Sequence, residues 1–343
     1  KLVDAFKQRP GRAMTAITAS IILPSIYLWF ANKDDPIYQR QEEWIKTNYW
    51  IVIHDGVVHK IAKPFEPGVV FGTGTEQLLD WLDKEHPDEM KDFLLDFGVT
   101  QLKNISGAVP TVAMPVVEAF VNKSIFKGQP LVPHYMDQQL LSKYQYTIYT
   151  SEIAKAISRS INTLVGDHTK LDNPIYIDNF LKSWFASLGR FAIQMADKGL
   201  IEYGIIEDPI KPTDNLTVIP GIRAFQVRDP SGGSEFITDF YKEYIKINKE
   251  VQSVIALESR GENIEAQKIK EKINMKDKNV LLLLNVNDAI KEINLTIRNI
   301  NNTKKYNPDQ KRELIDGMYF LMIKTAKRGL DLMNYKVDKQ DKK

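Results

Sequence analysis

The chain of 343 residues is 43% hydrophobic and 26% charged, a composition typical of a globular protein with one large or two modest domains. It contains no cysteine, which excludes disulfide bonds, thiolate nucleophiles and zinc sites built on cysteine. The formal net charge of +2 gives no general indication of nucleic-acid binding. Residues 236–343 carry 22 Lys and Arg against 16 Asp and Glu, which indicates a solvated helical face or, more weakly, an anionic partner.

The first element in chain order is an uncharged run of 19 residues, from Ala13 to Ala31. As a helix it would be about 28 Å long, close to the thickness of a bilayer's hydrocarbon core. Basic residues precede it and aromatic residues close it, as in membrane-seeking helices, whereas Pro24 and four Ser and Thr count against a simple span. The pattern favours a helix buried in a helical assembly over conditional membrane insertion, and either of these over a permanent span.

Small residues four positions apart allow close helix approach in lipid or in a soluble bundle, and aromatic residues anchor helices at the bilayer interface. On these grounds the candidate membrane or helix-packing residues are Thr15, Ala16, Ala19, Ser20, Trp29 and Phe30. The run lacks a small-residue cleavage site, so we do not expect a signal peptide. Because the first residue is Lys1 rather than Met, we expect the chain to be a piece of a longer polypeptide.

Two β-branched and aromatic runs, separated by Asp55-Gly56, predict a β-hairpin over residues 50–61. A two-residue turn would place His54 and His59 on one face of this ribbon. Because the hairpin offers no further His, Asp or Glu apart from Asp55 in its turn, we expect two ordinary half-exposed histidines rather than a metal site.

Apolar spacing and capping residues predict several helices in the middle of the chain, at residues 90–102, 110–126, 152–161 and 174–198. Gly72 and Gly74 do not form a phosphate loop, because the Gly-Lys-Ser/Thr ending and the third glycine of a dinucleotide motif are missing. Thr73 or Thr75 is the predicted N-cap of the helix that follows these glycines.

Further caps and turns are predicted on both sides of a short extended segment. Thr150 or Ser151 is placed to cap the helix that begins near Glu152. Residues 223–228 indicate a short strand or an extended arm, and Ser234 is the predicted N-cap of the next helix.

The last hundred residues are predicted to be helical. Five apolar residues alternate at spacings of four and three, as in a coiled-coil seam between copies: Val286, Ile290, Ile293, Ile297 and Ile300. Asn307 and Gln310 predict a capping box, with Pro308 in the first turn of the last helix. This pattern predicts an antiparallel helical hairpin, or arms that associate with a neighbouring copy through the seam.

No spacing in the sequence forces a catalytic arrangement. The obvious titratable candidates are Glu66, Glu118, Glu152, Asp167 and His168. None of them lies at a spacing that pairs two carboxylates or builds a Ser-His-Asp triad. We therefore expect no enzymatic activity, no cofactor and no metal in this chain, and any catalytic domain would lie elsewhere in a longer polypeptide.

Together these elements predict a mainly α protein with one small β-hairpin. We expect an irregular multi-helix domain over residues 1–235, followed by a helical hairpin or coiled-coil arm over residues 236–343.

Proline, glycine and aromatic landmarks recur in a distinctive order, among them RPGRAMTAITASIILPSIYLWFANKDDPIY, KPFEPGVVFGTGTEQLLDWL, NKSIFKGQPLVPHY, YQYTIYTSEIAKAISR, FASLGRFAIQMAD and FQVRDPSGGSEFITDFY. From about Ala5 to Tyr241 the chain resembles the large polyvalent protein-associated domains, which occur towards the C-terminal ends of very large proteins of tailed phages and prophages.

The resemblance implies a non-enzymatic structural protein of the virion interior, near the portal or tail. It would be released with the genome as a cargo or ejection protein and help form or line a DNA conduit across the host envelope. After infection it would lie in the host envelope or cytoplasm. The partners implied are portal, core or tail components, further copies of the chain, the host membrane and phage DNA.

Two alternatives remain open at this point. The chain could be an injected protein that protects phage DNA or inhibits host defence, or a non-catalytic scaffold of a giant polyvalent enzyme. The injected protein would bind nucleic acid in a salt-dependent way through the tail lysines Lys268, Lys270, Lys272, Lys276 and Lys278.

Overall fold

The computed structural model describes residues 8–64, 67–84, 114–137, 139–165, 172–184, 186–205, 210–213, 222, 224–272 and 278–340. The chain forms two compact units. Unit 1 comprises Lys1–Met114 and Asn215–Asp229, and unit 2 comprises Pro115–Asp214 and Pro230–Lys343. The mainly α fold with a small antiparallel sheet is confirmed.

In the described part of unit 1, the sheet is preceded by helix α1, Pro10–Asn32, and by the short helices α2, Pro36–Gln39, and α3, Glu43–Asn48. Asp35 caps α2, because its carboxylate accepts the backbone N–H of Ile37 at 2.6 Å.

The predicted hairpin is confirmed, with strands β1 Tyr49–His54 and β2 Val57–Ala62. His54 pairs with Val57, as a two-residue turn requires. Asp55 and Gly56 both have positive φ, 49° and 75°, which is the conformation that this Asp-Gly turn provides.

A short third strand completes the sheet. Strand β3, Gln226–Val227, pairs antiparallel with β2 and lies within the segment for which an extended arm is predicted. The small apolar cluster below the sheet is centred on Ile45, Ile51 and Val58.

The helix after the hairpin begins earlier than predicted. A π-helical segment, Gly68–Thr73, leads directly into α4, Gly74–Lys84. Thr73 and Thr75 therefore lie inside the helical segment, and the N-cap prediction for them is wrong. Their hydroxyls donate instead to backbone carbonyls, those of Thr47 and Phe71, respectively.

The first half of unit 2 contains helices α5 Met114–Val121, α6 His134–Asp137, α7 Glu152–Val165, α8 Pro174–Trp184 and α9 Ala186–Glu202. Ser151 is the residue that caps α7, since its hydroxyl accepts the N–H of Ala154 at 3.3 Å. The single helix predicted over residues 174–198 corresponds to α8 and α9, with residue 185 outside the described ranges.

The second half of unit 2 consists of four helices, α10 Glu235–Ser259, α11 Asn263–Lys272, α12 Lys278–Asn302 and α13 Pro308–Gln340. Ser234 is the N-cap residue of α10, although its side chain makes no capping hydrogen bond. The capping box of α13 is confirmed: Gln310 N–H donates to Asn307 Oδ1 at 2.8 Å, and Asn307 N–H donates to Gln310 Oε1 at 3.1 Å.

Helices α12 and α13 form the predicted antiparallel hairpin, and α10 packs against α13. The hydrophobic core of unit 2 lies among them, around the fully buried residues Phe240, Ile290, Ile315 and Met322. Because α6 packs on α12 within this unit, the compact units have different bounds from the predicted domains 1–235 and 236–343. The predicted helix at residues 90–102 lies outside the described residues.

A glycine pair on α13 provides a test of this packing. A Cβ at Gly329 would lie 2.7 Å from Phe240 Cε2 and 3.0 Å from Val286 Cγ1, whereas a Cβ at Gly317 would meet nothing within 4 Å. We expect Gly329→Ala to destabilise the protein by about 1–3 kcal/mol through overpacking. Gly317→Ala should stabilise it by about 0.5–1 kcal/mol through helix propensity. Urea unfolding of both variants measures this, and equal effects would contradict the packing of α10 on α13.

Candidate functional site

Helix α1 has one buried face and one exposed face. The buried face consists of Ile17, Ile21, Ser25 and Trp29, each four residues after the last and each no more than 6% exposed. This face lies against α4, the π-helical segment before it and the first strand of the sheet.

A π-helical turn inside α1 keeps these residues on one face. In a helix with 3.6 residues per turn, each step of four residues overshoots by about 40°, so three steps would drift by about 120°. The wider turn at Thr18–Ile22 removes part of this drift. It also precedes Pro24, whose ring would clash with the carbonyl of Ser20 in a regular α-helix.

Polar side chains attach the buried face of α1 to the rest of unit 1. Trp50 Nε1 on β1 donates to Ser25 Oγ at 2.8 Å, and Trp29 Nε1 donates to Asp80 Oδ1 at 2.8 Å. Asn32 Nδ2 donates to the carbonyl of Ile51 at 2.7 Å. These bonds satisfy the polar atoms of this face inside the protein, so α1 is held by direction-dependent contacts as well as apolar packing.

A buried ion pair, between Lys63 and Glu76, lies next to the buried face of α1. Lys63 Nζ donates to Glu76 Oε2 at 2.7 Å, to Thr73 Oγ1 at 2.8 Å and to the carbonyl of Lys46 at 2.9 Å. The Lys63 side chain is fully buried and that of Glu76 is 11% exposed. Ser25 on α1 also lowers the pKa of Glu76, so the environment of the pair includes α1 as well as α4.

Burial and mutual attraction shift the pKa values of Lys63 and Glu76 in opposite directions. Desolvation lowers the pKa of Lys63, and the carboxylate of Glu76 opposes that shift. Desolvation also raises the pKa of Glu76, opposed by the ammonium of Lys63 and by Ser25. Each group opposes the effect of burial on the other, so the loss of one leaves the other buried without its compensating partner.

Gly72 allows the close approach of α1 at this point. A Cβ at Gly72 would lie 2.9 Å from Ser25 Oγ and 3.4 Å from Ile21 Cγ2, so any larger residue would push α1 away. The glycine therefore has a packing role.

The opposite face of α1 carries large apolar side chains without cover from unit 1. Tyr27 is 72% exposed, Phe30 62%, Leu23 55% and Met14 49%. By length and composition α1 could cross a membrane, with a mean hydropathy of 1.6 in its most apolar window and 22% of that window buried. An exposed apolar face of this kind is a candidate contact surface.

The candidate residues of the opening run are divided between the two faces. Trp29 lies on the buried face, with its ring also below the ammonium of Lys33 at 4.9 Å. The other five lie on the exposed face: Thr15, Ala16, Ala19, Ser20 and Phe30. Two of their hydroxyls bond back to the carbonyls of their own helix, at Gly11 and Ala16. The close helix contact in unit 1 is made by the Ile17–Trp29 face instead.

The five residues of the predicted seam lie inside unit 2. Ile290, Ile293 and Ile297 belong to its buried core, and Val286 and Ile300 pack against that core. Helix α13 of the same chain takes the place of a neighbouring copy, so the antiparallel hairpin accounts for the heptad spacing.

At least one of the tail lysines forms an ion pair within the chain. Lys270 pairs with Glu258 of α10, and Lys268 lies on α11 among acidic neighbours such as Glu265 and Glu271. The side chains of Lys272 and Lys278 are outside the described part, as is all of Lys276.

Two of the titratable candidates have structural partners. Glu118 accepts the N–H of Ile125 at 2.7 Å and the amide of Asn179 at 3.0 Å. Glu152 is in the first turn of α7 and pairs with Lys155 at 2.8 Å. Glu66, Asp167 and His168 lie outside the described residues.

The two hairpin histidines do not form a metal site in the part of the chain that is described. His54 is 78% exposed at the side chain and lies 3.4 Å from Asp55, while His59 is half-buried. Within the described ranges, no group of three or more His, Cys, Asp or Glu is arranged to hold a metal ion.

Sequence reasoning missed Lys63 and Glu76, which are 13 residues apart and belong to no motif. A weak signal was present in α1, because Ile17, Ile21, Ser25 and Trp29 are evenly spaced by four. The small residues beside it form the more conspicuous pattern in the sequence.

Removal of the buried cation tests its role. We expect Lys63→Met to lower the free energy of unfolding by about 3–5 kcal/mol, because Glu76 is left buried and unpaired. The double variant with Glu76→Gln should recover part of this loss. As a control, Lys246→Met removes the exposed pair with Glu243 and should change stability little.

The stability of the Lys63→Met variant should also depend on pH. Without Lys63, the folded-state pKa of Glu76 lies further above its unfolded value, so the folded variant binds a proton more tightly than the parent. The stability deficit of Lys63→Met is then smaller at pH 5 and grows as the pH rises to 8. Urea unfolding at both pH values measures it, and a deficit independent of pH would contradict this assignment.

Comparison with known proteins gives one match. The family model for large polyvalent protein associated domain 38 matches residues 35–222, which is more than half of the chain. Helix α1 lies before the matched region, and α10 to α13 lie after it. No curated protein and no solved structure matches the chain. The chain belongs to the large polyvalent protein associated domain 38 family, which associates it with the large polyvalent proteins of phages.

Proposed function

We propose that the chain is a non-enzymatic structural module of a large internal phage protein that leaves the particle with the genome. In this proposal it is stored in the virion near the portal or tail. After release it helps form or line the path of the DNA across the host envelope, and α1 is the element that contacts the membrane.

The observation that carries this proposal is the two-faced packing of α1. A helix that is apolar enough to enter a bilayer is held on unit 1 by one face and leaves Leu23, Tyr27 and Phe30 exposed on the other. Family membership supports the phage context. Exposed apolar surface is costly in water, so a helix of this kind needs a partner protein or a lipid surface during its working life.

A geometric argument supports the proposed partners. One helix cannot enclose a channel, so a conduit would need several copies of the chain around a symmetric hub, such as the portal, core or tail. With α1 held on unit 1 by hydrogen bonds, each copy can present the exposed face in the same orientation.

The proposal that this module has no catalytic role is supported by how three of its described carboxylates are used. Glu76, Glu118 and Glu152 are committed to ion pairs or to backbone N–H groups of neighbouring elements. A scaffold role within a giant polyvalent enzyme is compatible with this proposal and is favoured by the same family membership.

The test of release is quantitative mass spectrometry of purified phage particles before and after triggered DNA release. We expect peptides of this chain in full particles and their loss from emptied ones. Retention in emptied particles would make it a fixed structural part, and absence from both would overturn the virion assignment.

The test of membrane contact is vesicle flotation with variants of the exposed α1 face. Leu23→Asp with Tyr27→Asp should reduce binding by about tenfold or more, because charge opposes apolar insertion while the buried face stays intact. Two other exposed positions serve as the control, Tyr203→Asp with Ile264→Asp. Equal binding by both double variants would contradict a membrane role for α1.

A further inference from the structure

A second exposed apolar element lies in unit 2, at the end of α5. We call residues 120–127 the Phe120 turn. Phe120 is 92% exposed, Phe126 64% and Val121 54%. Two phenylalanines that protrude to this extent are unusual on a folded surface, because their burial elsewhere would be worth about 1.5–3 kcal/mol each.

The turn is rigidly built, so this exposure is a feature of the folded unit. Asn122 adopts a positive φ of 48° and ends α5. Its side-chain carbonyl accepts the N–H of Val132 at 2.9 Å, and its amide donates back to the carbonyl of Val132 at 3.2 Å. The buried carboxylate of Glu118 accepts the N–H of Ile125 at 2.7 Å from inside the turn.

Most backbone N–H groups of the Phe120 turn have hydrogen-bond acceptors in or next to the turn. N–H groups that donate to acceptors in or next to the turn are those of Asn122, Lys123, Ser124, Ile125, Lys127 and Gly128. An irregular segment enters a low-dielectric medium only when its backbone donors have internal partners. The Phe120 turn meets this requirement, whereas an open loop of the same composition would not.

The charges of the turn favour one kind of surface. Lys123 and Lys127 are exposed beside the apolar side chains. From residue 114 to residue 133 the single acidic residue is Glu118, whose carboxylate is buried and turned inward. An aromatic tip beside two ammonium groups complements an anionic lipid surface, where aromatic rings lie at the headgroup level and lysines reach the phosphates.

We propose that the Phe120 turn inserts Phe120 and Phe126 into the interfacial layer of an anionic bilayer, with Lys123 and Lys127 at the headgroup phosphates. This deepens the proposed envelope role by giving unit 2 a membrane contact of its own, and it rests on observations independent of α1. Insertion at this depth anchors the module on the membrane without a spanning helix in unit 2.

A single-cysteine label tests the proposal directly, because the chain has no cysteine of its own. Val121→Cys carries an environment-sensitive dye within the turn and leaves both phenylalanines in place. Met195→Cys, on α9, is the matched control, with 57% exposure against 54%. With vesicles of phosphatidylglycerol and phosphatidylcholine we expect a blue shift and quenching by brominated lipid for the label at 121, but not at 195.

Two sets of variants identify the groups responsible. Phe120→Ser with Phe126→Ser should abolish the blue shift while leaving the melting temperature unchanged, since both side chains are exposed. Lys123→Glu with Lys127→Glu should weaken binding to anionic vesicles by about tenfold or more, and binding to phosphatidylcholine alone should be weak throughout.

The outcomes separate this inference from the proposed function. Vesicle binding without a response at residue 121, or an equal response at 121 and 195, would overturn the inference and leave the role of α1 standing. Absence of the chain from phage particles, together with a response at 121, would overturn the virion assignment and leave the inference standing. A response at 121 to a purified virion protein but not to vesicles would assign the turn to a protein partner and overturn the lipid proposal.

Discussion

The ion pair between Lys63 and Glu76 is the constraint on which unit 1 depends. An ammonium group without access to water is costly unless every donor has an acceptor, and Lys63 finds its acceptors on α3 and on the helical segment that contains α4. Ser25 extends this network to α1, and Trp50 extends it to β1. A shift of any one of these elements leaves a polar group unpaired in the interior, so their positions are fixed together.

This constraint determines which face of α1 is available for function. Because Ser25 and Trp29 are hydrogen-bonded inside unit 1, the helix cannot rotate without breaking these bonds. Met14, Leu23, Tyr27 and Phe30 are consequently held on the outside. Ser25, one of the polar residues that count against a simple membrane span, therefore helps to keep an apolar helix attached to a folded protein. Under the proposed function, solubility in storage and contact with lipid would belong to different faces of one helix.

The parts of the fold that could be predicted from the sequence are those set by local rules. The Asp55-Gly56 hairpin and the Asn307–Gln310 capping box depend on residues within a few positions of one another. The heptad spacing from Val286 to Ile300 predicted a helix partner but could not identify it, because apolar periodicity is the same for a partner in the same chain or in another copy.

The candidate site could be predicted in part. The sequence located α1 and its length. The choice of its buried face depends on the hydrogen bonds of Ser25 with Trp50 and of Trp29 with Asp80, whose partners are 25 and 51 residues apart. The role of Thr73 could not be predicted for the same reason. Its hydroxyl accepts from Lys63 and donates to the carbonyl of Thr47, instead of capping a helix N-terminus. Contacts of this kind arise from tertiary packing and leave no local pattern.

The measurement that tests most directly whether α1 is held by one face is a nitroxide scan of residues 13–31. Each residue in turn is replaced by a labelled cysteine, and its collision rate with dissolved oxygen and with a nickel chelate is measured in the full chain without lipid. We predict minima of accessibility at Ile17, Ile21, Ser25 and Trp29, and high accessibility at Leu23 and Tyr27. Uniform accessibility, or minima at Ala16, Ala19 and Phe30, would contradict the docking of α1 through Ser25.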